Sequence, residues 1–266
     1  MPDFLDVLAR DVKATIERGY YEHFNEAETE TVSLRRAIIQ SKHVPVIAEV
    51  KGASPSAGVI RQDFAAEKVA LAMARGGAVG ISVLTEPKHF NGSISNLAKV
   101  RKAVELPVLM KDIIVSPLQL EAAARTGANA VLLIQALFDR GYGELGVHEM
   151  IEEAQSRRLE VLLEVHDEDE FQRALQGDAD LLGINNRNLG TLGIDLNVTR
   201  RILEKKAADT RIVVSESGIH TAADVRFLAK CGAKAFLIGS AIMSAKDVES
   251  KVREFTFALG KEKLEA

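Results

Sequence analysis

Residues 107–135 read Pro-Val-Leu-Met-Lys-Asp-Ile-Ile-Val-Ser-Pro-Leu-Gln-Leu-Glu-Ala-Ala-Ala-Arg-Thr-Gly-Ala-Asn-Ala-Val-Leu-Leu-Ile-Gln. The apolar run from Pro107 to Lys111 has the length of a strand, and the stretch from Pro117 to Thr126 has helical period. Gly127 stands where a helix would take a left-handed cap, and a second apolar run from Ala130 to Gln135 completes the unit. Strand, helix and strand in this order imply parallel strands joined by a crossover helix. The alternation continues in both directions. Strands are expected at Val46 to Lys51 and Val79 to Leu84 upstream, and at Glu160 to Glu164, Leu181 to Asn185, Ile212 to Glu216 and Ala235 to Gly239 downstream. Helices are expected at Ala65 to Arg75, Glu168 to Gln176 and Ala222 to Cys231, with Gly177 and Gly232 as cap glycines. Eight strands in series satisfy a closed (β/α)8 barrel of the TIM type; a doubly wound open sheet would carry a glycine-rich turn after its first strand, and none is there.

A chain of 266 residues fits such a barrel as one domain. Residues 1–44 form an N-terminal helical extension, with Phe4, Leu5, Leu8, Val12 and Ile16 at helical spacing and a second helix from Ser33 to Gln40. It is expected to cap the barrel. With 47% hydrophobic and 27% charged residues the composition is that of a globular protein, and a net charge of -4 without a basic stripe argues against nucleic acid or an anionic membrane as partner. The N-terminus lacks the apolar core of a secretory signal, and no run of about 18 apolar residues occurs, so a cytoplasmic location is expected. The single cysteine, Cys231, reads as a small buried residue at a helix end.

Barrels of this kind keep their chemistry at the C-terminal ends of the strands. Glu49 and Lys51 end strand one on the same side, Lys111 ends strand three, Glu164 strand five, Asn185 strand six with Arg187 just beyond, and Glu216 strand seven. Any one of these charges alone reads equally well as a solvated rim charge. Six around one mouth are costly to desolvate unless they pair and serve a ligand. Burial and neighbouring cations push a lysine pKa down and an adjacent glutamate pushes it up, which suggests a lysine poised as general acid near neutral pH.

Strand seven runs into Ser217 and Gly218, and strand eight into Gly239 and Ser240 at the start of a short helix. Two such turns side by side make a phosphate grip, since glycine lets backbone N–H groups approach an anion and a helix start adds its dipole. The loop Gly52-Ala53-Ser54-Pro55-Ser56-Ala57-Gly58 is either a cover for the substrate or a plain connector. Phe90 precedes an Asn-Gly turn and could meet a flat ring. The histidines, His23, His43, His89, His148, His166 and His220, show no ligand spacing, so no metal site is assigned; His89, His166 and His220 are the ones that could lie near the mouth.

The strand-end motifs taken together, Glu-Val-Lys-Gly-Ala-Ser-Pro-Ser (49–56), Ser-Val-Leu-Thr-Glu (82–86), Phe-Asn-Gly-Ser (90–93), Leu-Met-Lys-Asp (109–112), Gly-Ile-Asn-Asn-Arg (183–187), Ser-Glu-Ser-Gly-Ile (215–219) and Leu-Ile-Gly-Ser (237–240), resemble those of the indole-3-glycerol phosphate synthase family, in order from about residue 4 to residue 257. The resemblance implies a carboxy-lyase of tryptophan biosynthesis. It would close the indole ring of 1-(2-carboxyphenylamino)-1-deoxyribulose 5-phosphate with loss of carbon dioxide and water, using no cofactor. By motif position Lys111 would be the acid in ring closure. Glu164 and Lys51 would serve the later dehydration, and Glu49 and Glu216 would orient the lysines. Phosphate would fall to Ser217, Gly218, Gly239 and Ser240; Ser54, Asn185 and Arg187 would face the anthranilate part and the hydroxyls; Phe90, Pro55, Leu132 and Leu189 would line the ring, with Ser56 in the loop over them. Three positions depart from the family's usual pattern, Ile113, Gly52 and Asn188, and none removes a proposed catalytic group. A small phosphorylated substrate is the expected partner, and the expected state is a monomer or weak homodimer. Two other readings stay open on the residues alone: a Schiff-base aldolase, and a barrel that holds a phosphosugar without turning it over.

Overall fold

The computed structural model describes residues 3–22, 31–54, 58–61, 64–204 and 211–260. Eight strands, β1 (Val46–Val50), β2 (Gly80–Leu84), β3 (Val108–Lys111), β4 (Ala130–Ile134), β5 (Glu160–Val165), β6 (Leu181–Asn185), β7 (Val213–Glu216) and β8 (Ala235–Ile238), pair in parallel with their chain neighbours, and β8 returns to β1 to close the barrel. Closure leaves no barrel strand with a free edge; a separate two-stranded antiparallel sheet, Ala53–Ser54 with Gly58–Val59, lies in the loop after β1. Helices α3 (Ala66–Arg75), α4 (Ile94–Ala103), α5 (Pro117–Arg125), α7 (Val147–Ser156), α8 (Glu168–Ala174), α9 (Asn197–Glu204), α10 (Ala222–Lys230) and α12 (Val248–Thr256) follow the strands in turn, with the short α6 (Gln135–Asp139) and α11 (Ser240–Met243) ahead of α7 and α12.

Side-chain alternation along each strand sorts the residues into two cores. Val46, Ala48 and Val50 face the outer helices, as do Ile81, Val83, Val108 and Met110. The inner set includes Ile47, Leu109, Ala130, Leu132, Leu162, Val214 and Leu237. Continuing the inner parity to the strand ends gives Glu49 and Lys51 after Ile47, Lys111 after Leu109, Glu164 after Leu162, and Glu216 after Val214. The charged residues are thus the top layer of the barrel interior, resting on apolar layers that exclude water from beneath them.

Two helices ahead of β1 pack against that interior. Helix α1 (Phe4–Glu17) buries Leu5, Leu8, Ala9 and Val12, the larger of these contributing about 2 kcal/mol each. Its first turn is a capping box in which Asp3 and Asp6 each accept the other's backbone N–H. The Arg140 guanidinium pairs with both carboxylates at 2.8 and 2.7 Å and holds them below the usual carboxylate range. Helix α2 (Leu34–Ile39) is the second: Leu34 fills the space over the Cα of Gly80, and the Glu160 carboxylate at the start of β5 accepts from Ser33 Oγ and from the Arg35 N–H.

Between the two helices, Tyr21 is 2% exposed and its hydroxyl donates to Asp112, the residue after Lys111, at 3.1 Å. Asp112 also accepts from the Thr85 hydroxyl and the Ile113 N–H, while burial pushes its carboxyl up to about 7. The extension is therefore bonded directly to the end of the strand that carries Lys111. Tyr21→Phe is expected to lower stability by about 1–2 kcal/mol, read as a lower urea midpoint with unchanged slope; an unchanged midpoint would mean the bond contributes nothing net.

Two expectations from the sequence need correction. Gly177 is not a left-handed cap: Gly127 and Gly232 have φ of 85° and 107°, whereas the residues with positive φ do not include Gly177. Helix α8 ends earlier, at Ala174, and the Arg211 guanidinium takes up the carbonyls of Ala174, Leu175 and Gly177 instead. Cys231 is half-buried rather than fully buried, because it is the C-cap of α10 next to the exposed Gly232.

Candidate active site

A cavity of about 260 Å³ opens at the C-terminal ends of the strands. Glu49, Lys51, Lys111, Glu164, Asn185, Arg187 and Glu216 all line it. Lys111 Nζ lies 3.2 Å from Glu164 Oε2 and 3.2 Å from Glu216 Oε2, and Lys51 Nζ lies 2.7 Å from Glu49 Oε1. The three carboxylates are 1–3% exposed, so each lysine meets its partner with little water between them. Asn185 Nδ2 donates to Glu164 Oε1 at 3.0 Å, and its Oδ1 accepts the Arg187 N–H at 3.0 Å.

Glycine makes room for this layer. A Cβ at Gly183 would collide with Glu216 Oε1, and one at Gly239 would collide with Glu49 Oε1 and stand 2.9 Å from Lys51 Nζ. Both glycines belong to the inner face, and the buried glutamates occupy the space that their missing side chains leave.

The electrostatics correct one expectation. Lys111 is not poised near neutrality. Burial lowers its pKa, but Glu216, Glu164 and Glu49 outweigh that and raise it well above the ordinary lysine value, so it is a fully charged proton donor. Glu164 and Glu216 diverge although they flank the same ammonium. Burial acts to raise both; Lys111, His166 and Asn185 bring Glu164 below the carboxylate range, while Glu216, with Glu164 and Glu49 for neighbours, ends raised.

Directly after Glu216 the backbone turns at Ser217 and Gly218, both in the left-handed region with φ of 64° and 78°. A serine held there costs about 1 kcal/mol. Asn186 holds the turn in place: its Nδ2 donates to the carbonyls of Glu216 and Ser217 at 2.8 and 3.2 Å and to Ser215 Oγ at 3.0 Å. Beside this turn, Gly239 precedes α11, so the first-turn N–H groups at Ser240 and Ala241 have no intrahelical acceptor and are free for an anion. Ser217, Gly218, Gly239 and Ser240 all line the cavity.

The apolar wall comprises Phe90, Leu132 and Leu189, with Phe4 and Leu8 from α1 and with Ile113. Phe90 is held by its loop: Glu86 accepts the backbone N–H groups of Lys88, His89 and Phe90, and Asn91 completes the turn at φ 50°. Pro55 and Ser56 lie outside the described residues, as does the side chain of Ser54; His23 lies outside them too. His89 is bound to Asp11 of α1 at 2.8 Å, and His220 lines the cavity from its exposed rim. Asn188 accepts from the Gly190 and Thr191 N–H groups and so shapes the loop that carries Leu189. Among the described residues, no group of three or more His, Cys, Asp or Glu is placed to hold a metal ion.

Phe4, Leu8 and Asn186 were not singled out for the site by their sequence pattern, and His166 was expected near the mouth but given no role. Phe4 and Leu8, four apart on one helix face, signalled only burial, and nothing local distinguishes Asn186 from its neighbour Asn185.

The indole-3-glycerol phosphate synthase family model matches residues 3–255. The chain belongs to the indole-3-glycerol phosphate synthase family. A relative of that name from Methanocaldococcus jannaschii is 42% identical over 226 residues, covering 84% of this chain and 82% of the relative. Another of the same name, from Leptothrix cholodnii, is 41% identical over 239 residues, covering 88% and 89%. Among solved structures, thiamine phosphate pyrophosphorylase from Pyrococcus furiosus superposes with a TM-score of 0.60 at 19% identity, over 85% of this chain and 98% of that one, a likeness of barrel architecture alone. Membership in the indole-3-glycerol phosphate synthase family spans the barrel and helices α1 and α2 together.

Proposed function

We propose that this chain is an indole-3-glycerol phosphate synthase acting in tryptophan biosynthesis, converting 1-(2-carboxyphenylamino)-1-deoxyribulose 5-phosphate into indole-3-glycerol phosphate, carbon dioxide and water. The observation that carries the reading is Lys111, held charged 3.2 Å from each of two buried glutamates, in a cavity with an apolar wall and a backbone turn fit for phosphate.

The substrate's phosphate docks at Ser217, Gly218, Gly239 and Ser240. Its ring lies against Phe90, Pro55, Leu132 and Leu189, and its anthranilate part and hydroxyls are met by Arg187, Asn185 and Ser54, with Ser56 in the loop over them. The ring carbon bearing the carboxylate attacks the ketone carbon while Lys111 gives its proton to the ketone oxygen. Carbon dioxide then leaves, and its bonding pair restores the aromatic ring. In the second stage the new hydroxyl departs as water and a neighbouring C–H proton is lost, forming the indole double bond. Lys51 and Glu164 serve this stage, one giving a proton and the other receiving one. Glu49 and Glu216 hold the lysines and stabilise positive charge on the ring nitrogen. The residues up to 44 act as a cap on a single barrel domain. The protein works in the cytoplasm, as a monomer or weak homodimer, and needs no cofactor.

A charged Lys111 tells against the Schiff-base reading, because an amine nucleophile must be neutral to attack a carbonyl. The test is direct. The chain contains no tryptophan, so indole fluorescence of the product rises on a dark background. A rise proportional to enzyme supports the reading; substrate that binds without any rise would make this a non-catalytic barrel, and no binding at all would remove the substrate assignment.

A further inference from the structure

His166 lies just past the end of β5, two residues beyond Glu164 and on the same inner parity, with its side chain 12% exposed. Its Nε2 is 3.1 Å from Glu164 Oε1, and its Nδ1 is 3.1 Å from Glu170 Oε2 on α8. The same Glu170 oxygen accepts the His166 backbone N–H at 2.8 Å, which fixes the ring's position. An imidazole wedged between two carboxylates is a bridge when charged, and it would be a poor neighbour to either when neutral.

The two glutamates beside Lys111 are equidistant from it but not equivalent. Glu164 also has Asn185 hydrogen-bonded at 3.0 Å and the His166 ring at 3.1 Å, a charge contact and not an aligned hydrogen bond, whereas Glu216 Oε1 is buried with no hydrogen-bond partner among the described residues. We propose that His166 is a positioning residue that holds Glu164 as an oriented carboxylate and thereby makes Glu164 the proton acceptor, and Lys51 the donor, in the dehydration stage. This rests on the synthase reading above. The stage balances on that assignment: the C–O bond breaks and its oxygen leaves as water with a proton from Lys51. The neighbouring C–H proton passes to Glu164, and the C–H pair becomes the new double bond.

The charges around His166 support it. Glu164 and Glu170 face the ring directly; Lys111 and Glu216 lie beyond Glu164; and Asp167, Glu168, Arg201 and Glu204 line a cleft with it on the outer side. Burial acts to lower the imidazole pKa, but Glu164 and Glu170 outweigh it and push the group up to about 10, so the bridge is charged at neutral pH.

The experiment uses the full chain and two variants, His166→Asn and Glu170→Gln, read by product fluorescence across pH and by carbon-13 NMR of glutamate carboxyls, with the Glu164 signal assigned by its loss in Glu164→Gln. Removing the cation lets the Glu164 carboxyl rise, so His166→Asn should lower kcat by about 10- to 100-fold with KM within about threefold. The acid limb of its kcat profile should move up by at least about one pH unit. Glu170→Gln should move the alkaline limb down, since the imidazolium loses one of its two carboxylates. Lower kcat with both limbs unmoved would reduce His166 to a packing residue and overturn the proposal, as would an unchanged kcat. Should His166→Asn fail to fold, Glu170→Gln decides alone, because it leaves the ring in place. If the wild-type chain forms no indole product, the synthase reading fails, and the Glu164 titration still decides the inference: the same titration in wild type and His166→Asn overturns it.

Discussion

Lys111→Ala is expected to slow ring closure by about 10²- to 10⁴-fold, the range for removing a general acid, while affinity for inorganic phosphate stays within about threefold. The separation follows from the geometry. Lys111 touches Glu164 and Glu216, whereas the phosphate turn is held by Asn186 and by the start of α11. The variant should still fold. Glu164 keeps His166 and Asn185, and Glu216, whose carboxyl is already raised by burial, can take up a proton in place of its lost cation. That compensation fixes a pH signature. A carboxyl with a raised folded pKa gives stability that is full below its unfolded pKa and is lost as pH rises through the folded one. The urea midpoint of Lys111→Ala should therefore fall further below wild type at pH 9 than at pH 6. Turnover within tenfold of wild type would take the acid role away from Lys111. A uniform loss of midpoint at all pH values would mean that Glu216 does not take up the proton.

The barrel was legible because its signals are local and repeated. Each strand is a short apolar run, each helix has its own period, and the parity of Ile47, Leu109, Leu162 and Val214 carries Glu49, Lys111, Glu164 and Glu216 to one face. What parity does not reveal is the set of partners across the barrel. Glu164 and Glu216 read identically as strand-end carboxylates, and what sets them apart is the arrival of Asn185 and His166 at the first, while the second has no hydrogen-bond partner on its Oε1 among the described residues. The error over Lys111 has the same origin: counting burial and neighbouring cations against one adjacent carboxylate suggested a poised group, whereas Glu216, Glu164 and Glu49 all raise it. Asn186 and Arg211 were illegible for a related reason, since both act on backbone carbonyls from segments distant in the chain. Gly183 and Gly239 could be read as turn or strand glycines, but their function is to leave volume that only the folded barrel defines.

That volume gives the second large effect. In the register of β1 against β8, Ala48 pairs with Ile238, so Glu49 stands beside Gly239. The φ of Gly239 is -120°, which an alanine can adopt, so the backbone does not demand glycine there; the Glu49–Lys51 pair does. A Cβ would overlap Glu49 Oε1 and approach Lys51 Cε and Nζ to 2.9 Å, displacing both from the mouth. The same residue opens the helix proposed to hold the phosphate, so the displacement is expected to fall on binding and on the dehydration stage together. Gly239→Ala is expected to lower kcat/KM by about 100-fold or more, with a rise in KM as well as a fall in kcat, unlike Lys111→Ala, whose loss lies in kcat alone. Shortening the displaced acid separates the two contributions. In Gly239→Ala combined with Glu49→Asp, the carboxylate retreats by one methylene and kcat should recover in part, because Lys51 regains room near its place. KM should stay raised, because the phosphate turn still carries the added methyl. Wild-type kinetics in Gly239→Ala would mean that the Glu49–Lys51 pair is not where catalysis needs it, and failure of the double variant to recover any kcat would place the whole loss at the phosphate turn.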